Sequence, residues 1–535
     1  MGERDRFVRT RWLRGLRATL LLGLWSIVST CGGESTGPLG TVILFTSDSD
    51  FDAGVLANVE HATVSGQLRV SAQSGAYGYI WVALSNRGTI CKIDTRSGQI
   101  LGEYRTAPET NSSPNPSRTT VSMDGSVWAG NRGDGSVVHR GLVEAHEFLD
   151  RNHNGQIDTS TGYGDVRPWP NAGGEDTNGG VSTAADECIL HYVKVSASVV
   201  RHVTVNGDGD CWVSGVGGAN DRVFDLIDGD SGAVLRTEGP FSAGGYGGLI
   251  DGRGILWSAT SSWGAVLRWD PSLPTGTGNP TIIDIPNYGL GIGPDGNVWI
   301  TNVAGGEVRK LRPDGSVLGT FSHGTPNAQG LAVDGRGDVW ISSSHLGGTT
   351  VNHLRGDGTF VGSVPDILGP TGVAVDASGK IWTTNETAGS ATRIDPDGGP
   401  IGADGVTRVG AVDLTVNLPG AAPYNYSDMT GSVSLRATSP RGVWRIGHDA
   451  GLAGTAWRSI SWNTELGGAV PAGTSIAVQA RASDSLVDLG ITPLMPIDAG
   501  APLSIAGRYI EIVVTLRPAP DGTSPVLSDL VLVGP

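Results

Sequence analysis

A turn followed by tryptophan recurs seven times in this chain, and it constrains the fold more than any other feature. The copies are GAYGYIW (Trp81), SMDGSVW (Trp128), NGDGDCW (Trp212), DGRGILW (Trp257), GPDGNVW (Trp299), DGRGDVW (Trp340) and DASGKIW (Trp382). Successive tryptophans are 47, 84, 45, 42, 41 and 42 residues apart. A period of about 40–45 residues is that of a propeller blade, one four-stranded sheet per repeat. Within a repeat, LAV and VWIS alternate with period two around a Gly-containing hairpin, and a second Asp-Gly turn parts strands three and four. The reading is all-β, with a seven-bladed propeller over residues 73–423. The doubled interval predicts an insertion at 143–197, with HYVKV as the returning strand of the second blade.

The first 30 residues read as a targeting signal. Arg4, Arg6, Arg9, Arg11, Arg14 and Arg17 precede a short apolar run, ATLLLGLWSIVST, too brief for a permanent span. Its end, VSTCGG, resembles the lipobox of bacterial lipoproteins. That resemblance implies that Cys31 is diacylated and opens the mature chain, with residues 31–49 as the linker of a cell-envelope, outer-membrane lipoprotein. Plain secretion is the alternative. The only membrane attachment expected is through this lipid. Export permits a disulfide, but Cys91, Cys188 and Cys211 leave one thiol over, and their spacing does not choose a pair. A net charge of −16 argues against nucleic acid as a partner.

From about residue 77 to 400, elements such as GLAVDGRGDVW and GPDGNVWITN resemble the streptogramin (virginiamycin B) lyase-like and NHL-type propellers. The resemblance implies a site on the propeller's central face, where that family opens a lactone with a histidine base, acidic residues and magnesium. The positions that would carry it differ in this chain. Strand one of successive repeats offers Arg201, Tyr246, Tyr288, Gln329 and Thr371, with His202 the only imidazole nearby. Three residues after each tryptophan stand Leu84, Asn131, Gly215, Thr260, Asn302, Ser343 and Asn385, none a carboxylate. A magnesium-assisted elimination needs hard oxygen ligands and a poised base, so the family's chemistry does not carry over residue by residue. Arg118, Arg201, Tyr246, Tyr288 and Gln329 remain on that face. They either cap the channel or form a shallow pocket for a polar or anionic ligand.

DRNHNGQIDTST (150–161) follows the register of an EF-type calcium loop. Oxygen donors fall at Asp150, Asn152, Asn154, the Gln156 carbonyl and Asp158, with Gly155 at the turn. Position twelve is Thr161 rather than Glu, so Asp165, or Asp186 and Glu187, would have to complete the shell. Two loop carboxylates predict weak binding, about 10⁻⁴–10⁻³ M, and a structural rather than a chemical role for calcium.

After residue 423 the tryptophan turns stop, and 424–535 reads as an antiparallel β-sandwich resembling a jelly-roll-like accessory domain of bacterial surface proteins. In that module an opening segment like residues 50–72 belongs to the same sandwich, which implies a propeller inserted into it. Two functions stay open. One is a surface-anchored or secreted binding protein for a polar small molecule, glycan or protein, with a structural calcium loop. The other is a lyase-like enzyme with a divergent site. The missing carboxylates favour the first.

Overall fold

The computed structural model describes residues 35–37, 40–71, 77–145, 147–177, 179–217, 221–261, 264–344, 347–431, 441–490, 492–519 and 522–535. The signal and Cys31 therefore lie outside the described residues. The chain is predominantly antiparallel β-sheet, and its helices are short, such as Asp48–Asp52 and Leu486–Leu489. Among the described residues no helix is long and apolar enough to cross a membrane.

Between Tyr79 and Asn417, seven small antiparallel sheets follow one another among the described residues, each built from strands consecutive in sequence. Six of the repeat tryptophans sit on the second strand of their sheet and Trp81 on the first strand of its own, and all seven are at most 2% exposed. Each fills the wedge towards a neighbouring sheet. Trp128 packs with Val200, Val203 and Val213 of the next sheet, and Trp340 with Val373, Val375 and Ile381. Trp382 of the last sheet packs with Ile80, Val82 and Leu84 of the first. A buried indole covers roughly 150–250 Å², so these seven side chains dominate the cohesion between sheets.

The turn before each tryptophan has its own chemistry. Asp376, fully buried, accepts the Ser378 and Lys380 N–H groups, the Ser378 hydroxyl and the Trp382 indole N–H at 2.9 Å. Asp334 binds the Trp340 indole at 3.1 Å, and Asp251 that of Trp257 at 3.2 Å. Where the same position is Ser122, the Trp128 indole N–H has no partner. The Asp thus ties hairpin and wedge together.

The first of the seven sheets has three strands of its own, Tyr79–Leu84, Thr89–Asp94 and Ile100–Arg105. Its inner edge is met by a segment from the other end of the array. Tyr426–Ser427 pairs in parallel with Pro116–Val121, Tyr426 opposite Arg118. On the other side the Trp81 N–H donates to the Met429 carbonyl (2.9 Å), and the Asn425 amide donates to the Trp81 carbonyl (3.2 Å). Residues 424–430 therefore run among these seven sheets, although the sequence reading grouped them with the strands that follow.

The remaining strands share a separate core. One sheet has the order Val55–Ala57, Gly442–Asp449, Tyr509–Arg517, Ser475–Ser483, Met495–Ile497. A second pairs Gly40–Phe45 with Leu530–Val533, which in turn pairs with Ser459–Trp462. A third joins Val59–Glu60, Leu68–Val70 and Val526–Leu527. Phe45, Phe51 and Leu68 lie in one cluster with Trp444, Trp457, Ile512 and Leu530. The segments flanking the seven sheets are thus joined in one core. The expected linker 31–49 includes the strand Gly40–Phe45, whose apolar TVILF needs the Leu530–Val533 edge. The opening of 50–72 includes a helical turn, Asp48–Asp52, capped by Ser47, rather than strand alone.

Residues 141–188 run between the third and fourth strands of the second sheet, and Ile189–Lys194 (containing HYVK) is that fourth strand. Cys91, Cys188 and Cys211 are buried and free, in place of the disulfide that export would permit.

Replacing Asp376 by Ala leaves an indole N–H and two backbone N–H groups without their acceptor. The expected loss is about 3 kcal/mol in urea unfolding; a loss below about 0.5 kcal/mol would contradict the assigned role.

Candidate functional site

The inner strands of the seven sheets bring cations and phenols together. Arg118 is 1% exposed, yet its donors are spent on main chain. Its Nε donates to the Arg201 and Tyr246 carbonyls (2.9 and 3.3 Å), Nη1 to Ser117 (2.8 Å) and Nη2 to Tyr246 (3.0 Å). Its guanidinium carbon lies 4.4 Å from the centre of the Tyr426 ring. Arg201 donates from Nη2 to the hydroxyls of Tyr246 and Tyr424, while its buried Nε has no partner. Tyr246, Tyr288 and Tyr424 close a hydroxyl triangle, with O–O distances of 2.8 Å (246–288), 2.8 Å (288–424) and 3.4 Å (246–424). Arg132 covers the Tyr424 ring at 4.6 Å.

Glycines make this closeness possible. A Cβ on Gly289 would lie 2.2 Å from the Gln329 carbonyl oxygen, and one on Gly330 would lie 2.5 Å from that of Thr371. Beneath the phenols, Arg118, Tyr288, Tyr426 and these glycines line a cavity of about 30 Å³, room for a water but not for a substrate. Tyr246, Tyr288, Arg132 and Glu386 are partly exposed.

The electrostatics follow from buried cations with few anions. Burial lowers the Arg118 pKa to about 10, helped by Arg201. Burial alone would raise the Tyr424 phenol, but Arg201, Arg118 and hydrogen bonds from Tyr246 and Tyr288 outweigh it and hold it at about 7. Tyr288 and Tyr426 are pushed up by burial and by neighbouring phenols. Within this group Tyr424 carries the readiest negative charge. Burial also raises Glu386, which Arg132 and Arg201 pull back.

The residues expected on this face divide. Arg118, Arg201, Tyr246 and Tyr288 come together. Gln329 stands to the side, accepting from the Ser344 hydroxyl at 2.5 Å. Thr371 is buried against Thr384. His202 is not at the mouth. It is fully buried against Phe224, bonded through Nδ1 to Ser258 at 3.0 Å, and burial lowers its pKa to about 3. An imidazole so enclosed is part of the wall. Sequence reading missed Tyr424 and Tyr426, assigned to the sandwich, and Arg132 and Glu386, one residue beyond the positions sampled after Trp128 and Trp382.

The loop at 150–161 closes on itself. Asp150, 3% exposed, accepts the N–H groups of Asn154 and Gly155 (3.3 and 2.9 Å). The amides of Asn152 and Asn154 both reach the same Asp158 oxygen, at 2.8 and 3.2 Å. Glu187 accepts from the Arg151, Asn152 and Asp158 N–H groups (2.8, 3.4 and 2.9 Å). Asp165 is engaged by Thr161 (2.8 Å) and Asp186 by Thr159 (2.9 Å). Gln156 offers its N–H to Asn154 at 2.7 Å. Among the described residues no three His, Cys, Asp or Glu side chains are grouped as metal ligands.

No family model matches the chain. Over 161 residues it is 28% identical to virginiamycin B lyase of Nocardia farcinica, a match covering 29% of this chain and 53% of the lyase, so it spans about half of that relative. Two solved structures align more broadly. Virginiamycin B lyase of Staphylococcus aureus is 15% identical, over 58% of this chain and 89% of that one, with a TM-score of 0.40. A putative 6-phosphogluconolactonase of Bacteroides fragilis is 14% identical, over 65% and 96%, with a TM-score of 0.46. The chain is a distant, fold-level relative of virginiamycin B lyase.

Ionisation of Tyr424 tests the electrostatics. Its folded pKa lies below the ordinary phenol value of about 10, so the associated stability is present above pH ~10 and is lost as pH falls through about 7. Near-ultraviolet titration should reveal one phenolate forming near pH 7 and none in Tyr424→Phe; identical titrations would contradict the assignment.

Proposed function

We propose that the seven sheets form a seven-bladed β-propeller, closed by residues 424–430, and that its axial mouth is a lyase-like site acting by β-elimination on an ester of the streptogramin B class. The observation that carries this reading is Tyr424, a phenol near neutrality at 3.2 Å from Arg201. Distant relatedness to a lyase favours enzyme over pure binding protein. The Tyr424 phenolate takes the proton from the carbon next to a carbonyl. The electron pair forms a carbon–carbon double bond, the bond from the next carbon to the ester oxygen breaks, and a carboxylate leaves. Arg201 and Arg132 offset the negative charge on the carbonyl and on the departing carboxylate. Glu386, pushed up by burial and pulled back by Arg132 and Arg201, is the carboxyl beside them. Localisation at the cell envelope through Cys31 belongs to the same proposal.

Incubation with virginiamycin B should give a ring-opened, unsaturated product at a rate that rises with pH through about 7. Tyr424→Phe should lower the rate by about 10²–10⁴-fold. Binding without turnover would support the binding-protein reading, and equal turnover by Tyr424→Phe would remove the base.

The loop at 150–161 would hold calcium weakly once its two asparagine amides give up their bonds to Asp158 and turn their oxygens to the ion. Asp150, Asn152, Asn154, the Gln156 carbonyl, Asp158 and Glu187 would then hold the ion and order residues 141–188. Millimolar calcium should raise the Tm of the protein but not of Asp150→Ala; equal Tm values with calcium and with chelator would dismiss the metal.

A further inference from the structure

Where the second and third sheets face the sandwich, a cavity of about 460 Å³ stays open, within the range of about 300–1,000 Å³ that ligand clefts take. Phe148, Leu149, Leu190 and Leu494 give it hydrocarbon walls. Its polar groups are incompletely used. His139 is 4% exposed and bonds Ser126 through Nε2 (3.0 Å), but its Nδ1 has no partner. Glu147, held 4.0 Å from Arg445, leaves its buried Oε2 unpartnered. Arg481 is fully engaged by comparison, paired with Glu511 at 2.6 Å and donating to the Gly490 carbonyl at 2.7 Å. Asp228 and Asp230 complete the polar rim.

Such a wall needs a ligand that donates and accepts in alternation and also carries C–H surface. An ammonium compound would meet Arg445. A carboxylate would meet Asp228 and Asp230. A ring bearing hydroxyl groups answers all of them, because each hydroxyl both donates and accepts. We propose that this cavity binds a short glycan of one or two sugar rings, independently of the axial mouth, with which it shares no residue.

Titration calorimetry on the full chain would use glucose, galactose, mannose, N-acetylglucosamine, maltose and cellobiose. At least one should bind saturably. Ser231 is exposed on the rim, so Ser231→Trp should block binding without disturbing the fold, as circular dichroism and Tm would verify. Glu147→Gln should weaken it at least about tenfold, while Tyr424→Phe leaves it unchanged. Failure of every sugar to saturate, undiminished binding by Ser231→Trp, or saturable binding of butylamine or acetate in their place would overturn the proposal.

Discussion

The contact on which the rest depends is the return of residues 424–430 to the first sheet. Seven wedge-packed sheets in a row leave two open edges, each with unpaired main-chain groups and an uncovered apolar face. Trp382 meeting Ile80 and Val82 covers the faces, and the Trp81 N–H reaching Met429 satisfies an edge. The same segment carries Tyr424 and Tyr426 to Arg201 and Arg118, so this contact and the cation–phenol group form together. It also fixes where the sandwich resumes: the strands before and after the seven sheets meet in the core around Trp444.

At the mouth, two buried guanidinium groups are held chiefly by carbonyls and phenol rings, with Glu386 the nearby carboxylate. Carbonyl dipoles and ring faces stabilise a cation without neutralising it. The surplus positive potential falls on the hydroxyl triangle and concentrates on Tyr424. This local sign opposes the net charge of −16, which favours a mouth that draws anionic groups from a surface that repels them. Tyr424 thus gives this group an ionisable oxygen.

Much of the β architecture was legible because a buried indole recurs at fixed spacing and its hairpin needs Asp and Gly. The all-β class and the returning strand Ile189–Lys194 followed from that periodicity. The site was only partly legible. Arg118 and Arg201 lie on strands whose register the repeats specify, and Tyr246 and Tyr288 just before such strands. Tyr424 and Tyr426 do not, because their strand pairs with residues more than 300 positions away and no local pattern marks a partner so distant. His202 failed for a related reason: alternation gives the face of a strand, but a bulge between Val200 and His202 shifts the register there. The strand Gly40–Phe45 looked like linker because the strand that covers Val42–Phe45, Leu530–Val533, lies at the far end of the chain.

Amide hydrogen exchange at Trp81 and across 426–429, followed by mass spectrometry on the native protein, tests the closing contact most directly. Protection of both segments to the level of global unfolding is the expected result. Exchange at rates typical of an exposed loop would mean that the first sheet stands open and that Tyr424 is not held against Arg201.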